Sequence, residues 1–223
     1  ARATQARLRH ARPSMSLHVL YFGADRSWPD SDLAHHSILF PRDQRRAMRR
    51  VFGRRSGLGR AVGEGPDPDD LFLYVHMPTR TDPTIAPPGC DSLYVLVATA
   101  AGQHQSADPR AEQRRVRAAV LERLEAQHLP GLTEHIAVEH AIGPEHFRSE
   151  LNTPSGAAFS LQPTLFQSGW FRPHNRSRAV AGLYVVGAGT HPGAGVPAVL
   201  ASGKIAAALI AQQAPSRPLR GVG

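Results

Sequence analysis

Apolar residues occur in short blocks separated by polar, glycine-rich or proline-rich segments. Ser16–Gly23 (SLHVLYFG), His35–Phe40 (HHSILF), Leu71–Met77 (LFLYVHM) and Ser92–Ala98 (SLYVLVA) are rich in β-branched, aromatic and aliphatic residues and predict strands. Arg54–Asp70 and Thr79–Pro88, crowded with Gly, Asp and Pro, are the loops between them. Adjacent strands joined by loops predict an antiparallel or mixed sheet. Two stretches change period. Arg42–Phe52 places Ala47, Met48, Val51 and Phe52 among arginines, and Pro109–Gln127 repeats Val116, Val120, Leu121 and Leu124 at helical spacing between charges. Leu129-Pro130-Gly131-Leu132 ends the second helix. Ile136–His140 predicts a short strand, and Gly143-Pro144-Glu145 opens a short helix running through Phe147 to Leu151. Thr153–Ala158 is a turn of small residues, Phe159–Phe171 is extended or loop, and Pro173–Ala179 is a polar turn.

The densest pattern is Leu183–Ile210, LYVVGAGTHPGAGVPAVLASGKIAAALI. Leu183-Tyr184-Val185-Val186 predicts a buried parallel strand. Gly187, Gly189, Gly193 and Gly195 follow as a turn whose backbone a ligand can approach closely. Pro197 suits a first helical turn, and the helix it opens runs to about Gln212. Lys204 is the one charge in that helix, which is expected to be buried on most sides. A strand, a glycine turn and a helix N-terminus form a natural anion site, because free N–H groups and the helix dipole face the ligand. The local pattern leaves two readings open, a phosphate-bearing cofactor or a tight connection that binds nothing. The spacing is G-x-G-x-x-x-G, with no acidic residue about 20 positions on, and so departs from the usual dinucleotide fingerprint. A parallel strand also needs neighbours, so this unit is expected to complete a sheet begun upstream.

A chain of 223 residues that is 41% hydrophobic supports one large or two small domains. The net charge of +8 comes mostly from arginines clustered at Ala1–Pro13, Arg42–Arg60 and Arg110–Arg123. These clusters share no periodic face and lack the interleaved aromatics that stack bases, so no nucleic-acid partner is expected. Ala1–Pro13 (with the next two residues, 1–15) reads as a basic stub and 214–223 as a flexible tail. Cys90 is the only cysteine, which excludes an internal disulfide or a cysteine-rich zinc site and fits the cytoplasm.

Catalytic candidates are sparse. His35-His36 is expected to point to opposite faces of a strand, and no HExxH-type spacing occurs, so no metal site is expected. There is no G-x-S-x-G elbow, and Cys90 has no assigned base. Asp91, Glu145 and Glu150 are carboxylates of ordinary surface type. Trp170-Phe171-Arg172-Pro173-His174-Asn175 is denser, and its position just before the glycine turn makes Trp170, Phe171, Arg172 and His174 candidate cavity walls.

These strings resemble the C-terminal part of bacterial phytoene desaturases, flavin-dependent carotenoid desaturases. The likeness rests on Phe159-Ser160-Leu161-Gln162-Pro163-Thr164, Gln167-Ser168, the RPHN of Arg172–Asn175 and the GAGTHPGAG of Gly187–Gly195. Leu20-Tyr21-Phe22-Gly23, Leu33-Ala34-His35-His36, Leu73-Tyr74-Val75-His76 and Ala86-Pro87-Pro88-Gly89-Cys90 agree. The resemblance runs from about Ser16 to Ile210.

It implies an α/β (α+β) chain of the monoamine-oxidase-like flavoprotein fold, here an incomplete part. Residues 16–158 would be mainly the substrate-binding domain and 159–213 the return of the chain to the FAD-binding domain. It implies FAD as cofactor, with Gly187, Ala188, Gly189 and Thr190 near the flavin's phosphate and ribityl region and Gly195, Val196 and Pro197 toward its ring. It implies a long polyene substrate of phytoene type, which loses a hydride to flavin and a proton to a base. A water-insoluble substrate implies peripheral contact with the inner face of the membrane. The family's N-terminal dinucleotide fingerprint has no counterpart here, nor does the region expected to hold the proton-handling acid. The catalytic residues are therefore unassigned, and a missing N-terminal part of the same protein is an expected partner. Ala98–Pro109 is less regular than in the family, and the Arg54–Asp70 loop is longer. Two alternatives stand beside this: a sister flavoenzyme on another polyene (an oxygenase or isomerase), or a non-catalytic truncated remnant.

Overall fold

The computed structural model describes residues 10–52, 66–101 and 108–213. Most of the basic stretch Ala1–Pro13, most of the Arg54–Asp70 loop, half of Ala98–Pro109 and the tail at 214–223 lie outside the described residues. Two compact units are present, Met15–Ala158 and a second one whose described part is residues 10–14 and 159–213.

Met15–Ala158 is built on five antiparallel strands: β1 (Ser16–Ala24), β2 (His36–Leu39), β3 (Leu73–His76), β4 (Asp91–Thr99) and β5 (Ile136–Ile142), in the order β2-β3-β4-β1-β5. The sheet alternates as the pleat requires. Leu73, Val75, Leu93, Val95 and Val97 are buried on one face, while Tyr74, His76, Tyr94 and Leu96 on the other are partly exposed. Helix α1 (Gln44–Phe52) is amphipathic, and the Asp43 carboxylate accepts the Arg46 N–H at its start. Helix α2 (Pro109–Gln127) covers the buried face of the sheet. The Asp108 carboxylate accepts the Ala111 N–H at 2.9 Å to cap it, and Pro109 occupies the first turn. Its Val116, Ala119, Val120, Leu121 and Leu124 join Leu20, Phe22, Leu73, Val75 and Val95 in the main core. Burying each large aliphatic side chain there contributes about 1.5–3 kcal/mol. On the other face Leu17, Val19 and Phe147 of α3 (Pro144–Ser149) make a smaller cluster with Tyr94, Leu96, Ile142 and Ala158.

Three polar residues tie loops to this core. Asp91 accepts the Trp28 N–H at 3.0 Å and the Thr79 hydroxyl at 2.6 Å. The Trp28 indole N–H donates to the Pro130 carbonyl at 2.9 Å. Arg123, buried within α2, donates to the carbonyls of Leu71 at 2.5 Å, Phe40 at 2.7 Å and Pro68 at 3.4 Å. Burial lowers the pKa of its guanidinium, an effect only partly offset by the charge of Asp69.

In the other unit, residues 12–14 run beside 160–162. Ser14 N–H donates to the Ser160 carbonyl and Gln162 N–H to the Arg12 carbonyl, each at 2.9 Å. Helix α4 spans Val196–Ala211. Two expectations for this unit fail. Leu183–Val186 forms no strand: Tyr184 makes a single antiparallel bridge with Arg176, and Leu183 and Val186 are exposed. Helix α4, expected to be buried on most sides, buries only Ser202 and Ala206, while Val196 and Leu200 are 75% and 70% exposed. The physical reason is the same for both. A parallel strand and an Ala-rich helix are stabilised by a sheet beside them, and all five described strands lie in Met15–Ala158. Among the described residues, no helix is long and apolar enough to cross a membrane.

Candidate cofactor site

The glycine turn is held by its own unit through four side chains. Arg172 is 4% exposed, and its Nη1 donates to the Ala188 carbonyl while Nη2 donates to the Leu161 carbonyl at 3.1 Å. Burial lowers its pKa, and among the described residues no carboxylate forms an ion pair with it. Asn175, also buried, donates from Nδ2 to the Val185 carbonyl at 3.1 Å and the Thr190 hydroxyl at 3.4 Å. The Thr190 hydroxyl donates to the Gly187 carbonyl at 2.9 Å. From the far side, Ser202 of α4 accepts the Gly187 N–H at 2.9 Å and donates back to Val199 at 2.7 Å. The turn thus has fixed backbone geometry before any ligand arrives.

Two glycines leave room for one. Gly187 and Gly195 have φ of +108° and +100°, and a side chain built on either would meet nothing within 4 Å. A positive φ favours glycine, and the open space beside it lets another molecule approach the backbone. Gly195 begins α4 with no side-chain cap, so the helix N-terminus offers backbone donors and the positive end of its dipole. Gly189 is different, because a Cβ there would lie 2.8 Å from Ser160 Oγ; this glycine serves packing.

The structure divides the remaining candidates. Arg172 meets the turn directly. Trp170 is 70% exposed, with its ring edge-on to His174 at 4.6 Å, and Phe171 is also exposed. His191 Nδ1 lies 3.1 Å from the Gly169 carbonyl, which keeps this aromatic corner beside the turn. The sequence pattern does not single out Asn175 or Ser202 as site residues: the first lies inside the RPHN string, and the second is the only hydroxyl in an otherwise Ala-rich helix. Of the carboxylates weighed, Asp91 is committed to Trp28 and Thr79, Glu145 pairs with Arg148 at 2.7 Å, and exposed Glu150 accepts from Ser149. Cys90 is partly exposed in a turn.

His35 and His36 do not face opposite ways. Their ring centroids are 4.3 Å apart, because His35 sits at a bend before β2 and escapes the alternation of the strand.

No protein-family model matches the chain. It is 42% identical over 205 residues to a lycopene-forming phytoene desaturase of Pseudescherichia vulneris, a match covering 92% of this chain and 39% of that protein. It is 41% identical over 221 residues to a neurosporene-forming phytoene desaturase of Rhodobacter capsulatus, covering 97% of this chain and again 39% of the relative. The relatives at 39–42% identity are phytoene desaturases. The chain spans about two fifths of the length of these desaturases. A desaturase of Methylomonas named for 4,4'-diapophytoene is 34% identical over 211 residues, 94% of this chain and 39% of the relative. Among solved structures, an oxidoreductase from Methanosarcina mazei aligns over 91% of this chain and 36% of its own, at 17% identity and a TM-score of 0.47.

Proposed function

We propose that this chain is the C-terminal portion of an FAD-dependent phytoene desaturase. The observation that carries the reading is the preformed turn at Gly187–Gly195, open at Gly187 and Gly195 and aligned with desaturases over nearly the whole chain. In this reading Gly187, Ala188, Gly189 and Thr190 hold the phosphate and ribityl part of FAD, and Gly195, Val196 and Pro197 lie toward its ring. When bound, FAD supplies the two-electron acceptor for dehydrogenation. Backbone N–H groups at the start of α4 bind anionic oxygens, while Arg172 and Asn175 keep the turn in shape. Trp170, Phe171 and His174 offer an aromatic wall for a polyene. Residues 16–158 form the substrate domain and 159–213 rejoin the cofactor domain, giving a monoamine-oxidase-like architecture in the complete protein. The exposed apolar residues of α4, together with Leu183 and Val186, are the surface that the remainder of the desaturase covers.

A chimera tests this reading: the chain replaces the corresponding portion of the Rhodobacter capsulatus enzyme and is expressed in phytoene-accumulating cells. The expected result is a yellow, flavin-containing protein that extends the conjugation of phytoene. A chimera that holds flavin normally but leaves phytoene unchanged, or only hydroxylates or isomerises a polyene, would replace it with the sister-enzyme reading.

A water-insoluble substrate places the complete enzyme at a membrane surface, where the arginines of α1 attract anionic lipid. Binding of the chimera to liposomes should rise with anionic lipid and fall with salt. Binding indifferent to both would remove the arginines from that role.

A further inference from the structure

Outside the glycine turn, the densest group of unassigned chemistry lies at the edge of the sheet in Met15–Ala158. His36 on β2 pairs directly with His76 on β3, and the Met77 N–H donates to the His35 carbonyl at 2.9 Å, so the backbone ladder locks all three histidines together. The ring centroids of His35 and His36 lie 4.7 Å and 4.9 Å from that of His76. One ring nitrogen from each lies within 4.8 Å of the others, and His35 Nε2 is 2.8 Å from His76 Nε2.

We propose that His35, His36 and His76 form a binding site for a divalent transition-metal ion of the Zn2+ type. Three imidazoles without thiolate or carboxylate suit Zn2+, Cu2+ or Ni2+ rather than Mg2+ or Ca2+. Three histidines leave a fourth tetrahedral position open to water or an exogenous ligand.

The hydrogen bonds around the rings favour ligation. The Thr81 hydroxyl lies 2.5 Å from His35 Nδ1 and 3.4 Å from the Pro78 carbonyl, an arrangement that suits the tautomer with its proton on Nδ1. That tautomer turns a bare Nε2 lone pair toward His76. The Tyr74 hydroxyl engages His36 Nδ1 at 2.7 Å, which leaves Nε2 as its remaining nitrogen. Metal-binding histidines are oriented in this way, with the outer nitrogen held by an oxygen. Nδ1 of His76 is buried with no hydrogen-bond partner among the described residues, which leaves Nε2, the nitrogen facing His35, as its ligand atom. Tetrahedral coordination at about 2.0–2.1 Å sets ligand nitrogens roughly 3.4 Å apart. The short His35–His76 contact therefore opens by about half an ångström, while the wider spacing closes through side-chain rotation.

The site reverses the expectation drawn from the HH dipeptide and does not depend on the desaturase reading. It would clamp the start of β2 to the end of β3.

The test uses the full 223-residue chain, stripped with a chelator and titrated with Co2+ alone and then with Zn2+. One equivalent of Co2+ should give visible ligand-field bands that Zn2+ abolishes. His36→Gln alters an exposed ring, and with its circular dichroism unchanged it should weaken Co2+ binding at least about 10-fold to 100-fold, the range seen when even outer-shell partners are lost. His35→Gln should do the same. Should His76→Gln prevent folding, these two variants still carry the result. Absence of bands at stoichiometric Co2+, or bands equally strong in both variants, would overturn the proposal and leave a hydrogen-bonded histidine pair.

Discussion

Arg172→Leu is expected to release the glycine turn and to strip FAD from the complete enzyme. The leucine conserves bulk but removes both N–H groups that reach the Ala188 and Leu161 carbonyls. Hydrogen bonds from a charged donor contribute about 1.5–3 kcal/mol each, so the turn loses about 3 kcal/mol or more of local stability. Arg172→Lys keeps the charge but not the fork that spans two carbonyls, and should recover only part of the loss. Amide exchange of Gly187–Thr190 in this chain, and flavin content in the desaturase chimera, measure the two consequences. Unchanged exchange and full flavin content in Arg172→Leu would show that the turn is held by Asn175, Thr190 and Ser202 alone.

Arg123→Met is expected to destabilise Met15–Ala158 more than any surface change. The guanidinium gathers three carbonyls from two separate places: the residue after β2, and the short helical turn Pro68–Asp70 with the residue that follows it. Methionine fills the stem volume but leaves those carbonyls in apolar surroundings. Leaving a buried partner unsatisfied costs about 1–3 kcal/mol per group, and the two close bonds give a total of about 3–5 kcal/mol. In a unit of this size that lowers the melting midpoint by roughly 10 °C. Thermal denaturation followed by circular dichroism reads the change. A midpoint within experimental error of the parent would mean that the carbonyls find water.

The contrast between these two arginines and their neighbours explains what the sequence reveals. Helix α2 is legible to its boundaries because Val116, Val120, Leu121 and Leu124 repeat at helical spacing behind Asp108-Pro109. The four apolar runs between Ser16 and Ala98 become strands because β-prone composition and bounding turns agree, with period-two burial clearest in β3 and β4 and the central β1 buried on both faces. Arg123 lies in that same helix among other arginines and looks solvated; only the convergence of carbonyls from Phe40, Pro68 and Leu71 buries it. Such partners are more than 50 positions away and leave no local pattern. His35, His36 and His76 are hidden for a related reason. A bend cancels the alternation, and a cross-strand pair spanning forty positions supplies the third ring. Leu183–Val186 fails in the opposite direction. Its composition is that of a buried strand, but strand formation depends on a neighbour, and its described neighbour is only the short polar turn at Asn175–Ser177, joined through the single Arg176–Tyr184 bridge. At the glycine turn, local strings mark the segment, and the fold adds the bonds from Arg172, Asn175 and Ser202 that give the turn its shape.

The central claim, that the turn and the start of α4 cradle FAD, is tested most directly by hydrogen–deuterium exchange of the desaturase chimera with and without FAD. The account predicts slower exchange at Gly187–Thr190 and at Gly195–Val196, with Met15–Ala158 little changed. Protection confined to the Rhodobacter-derived part, with Gly187–Val196 exchanging as in the flavin-free protein, would contradict it.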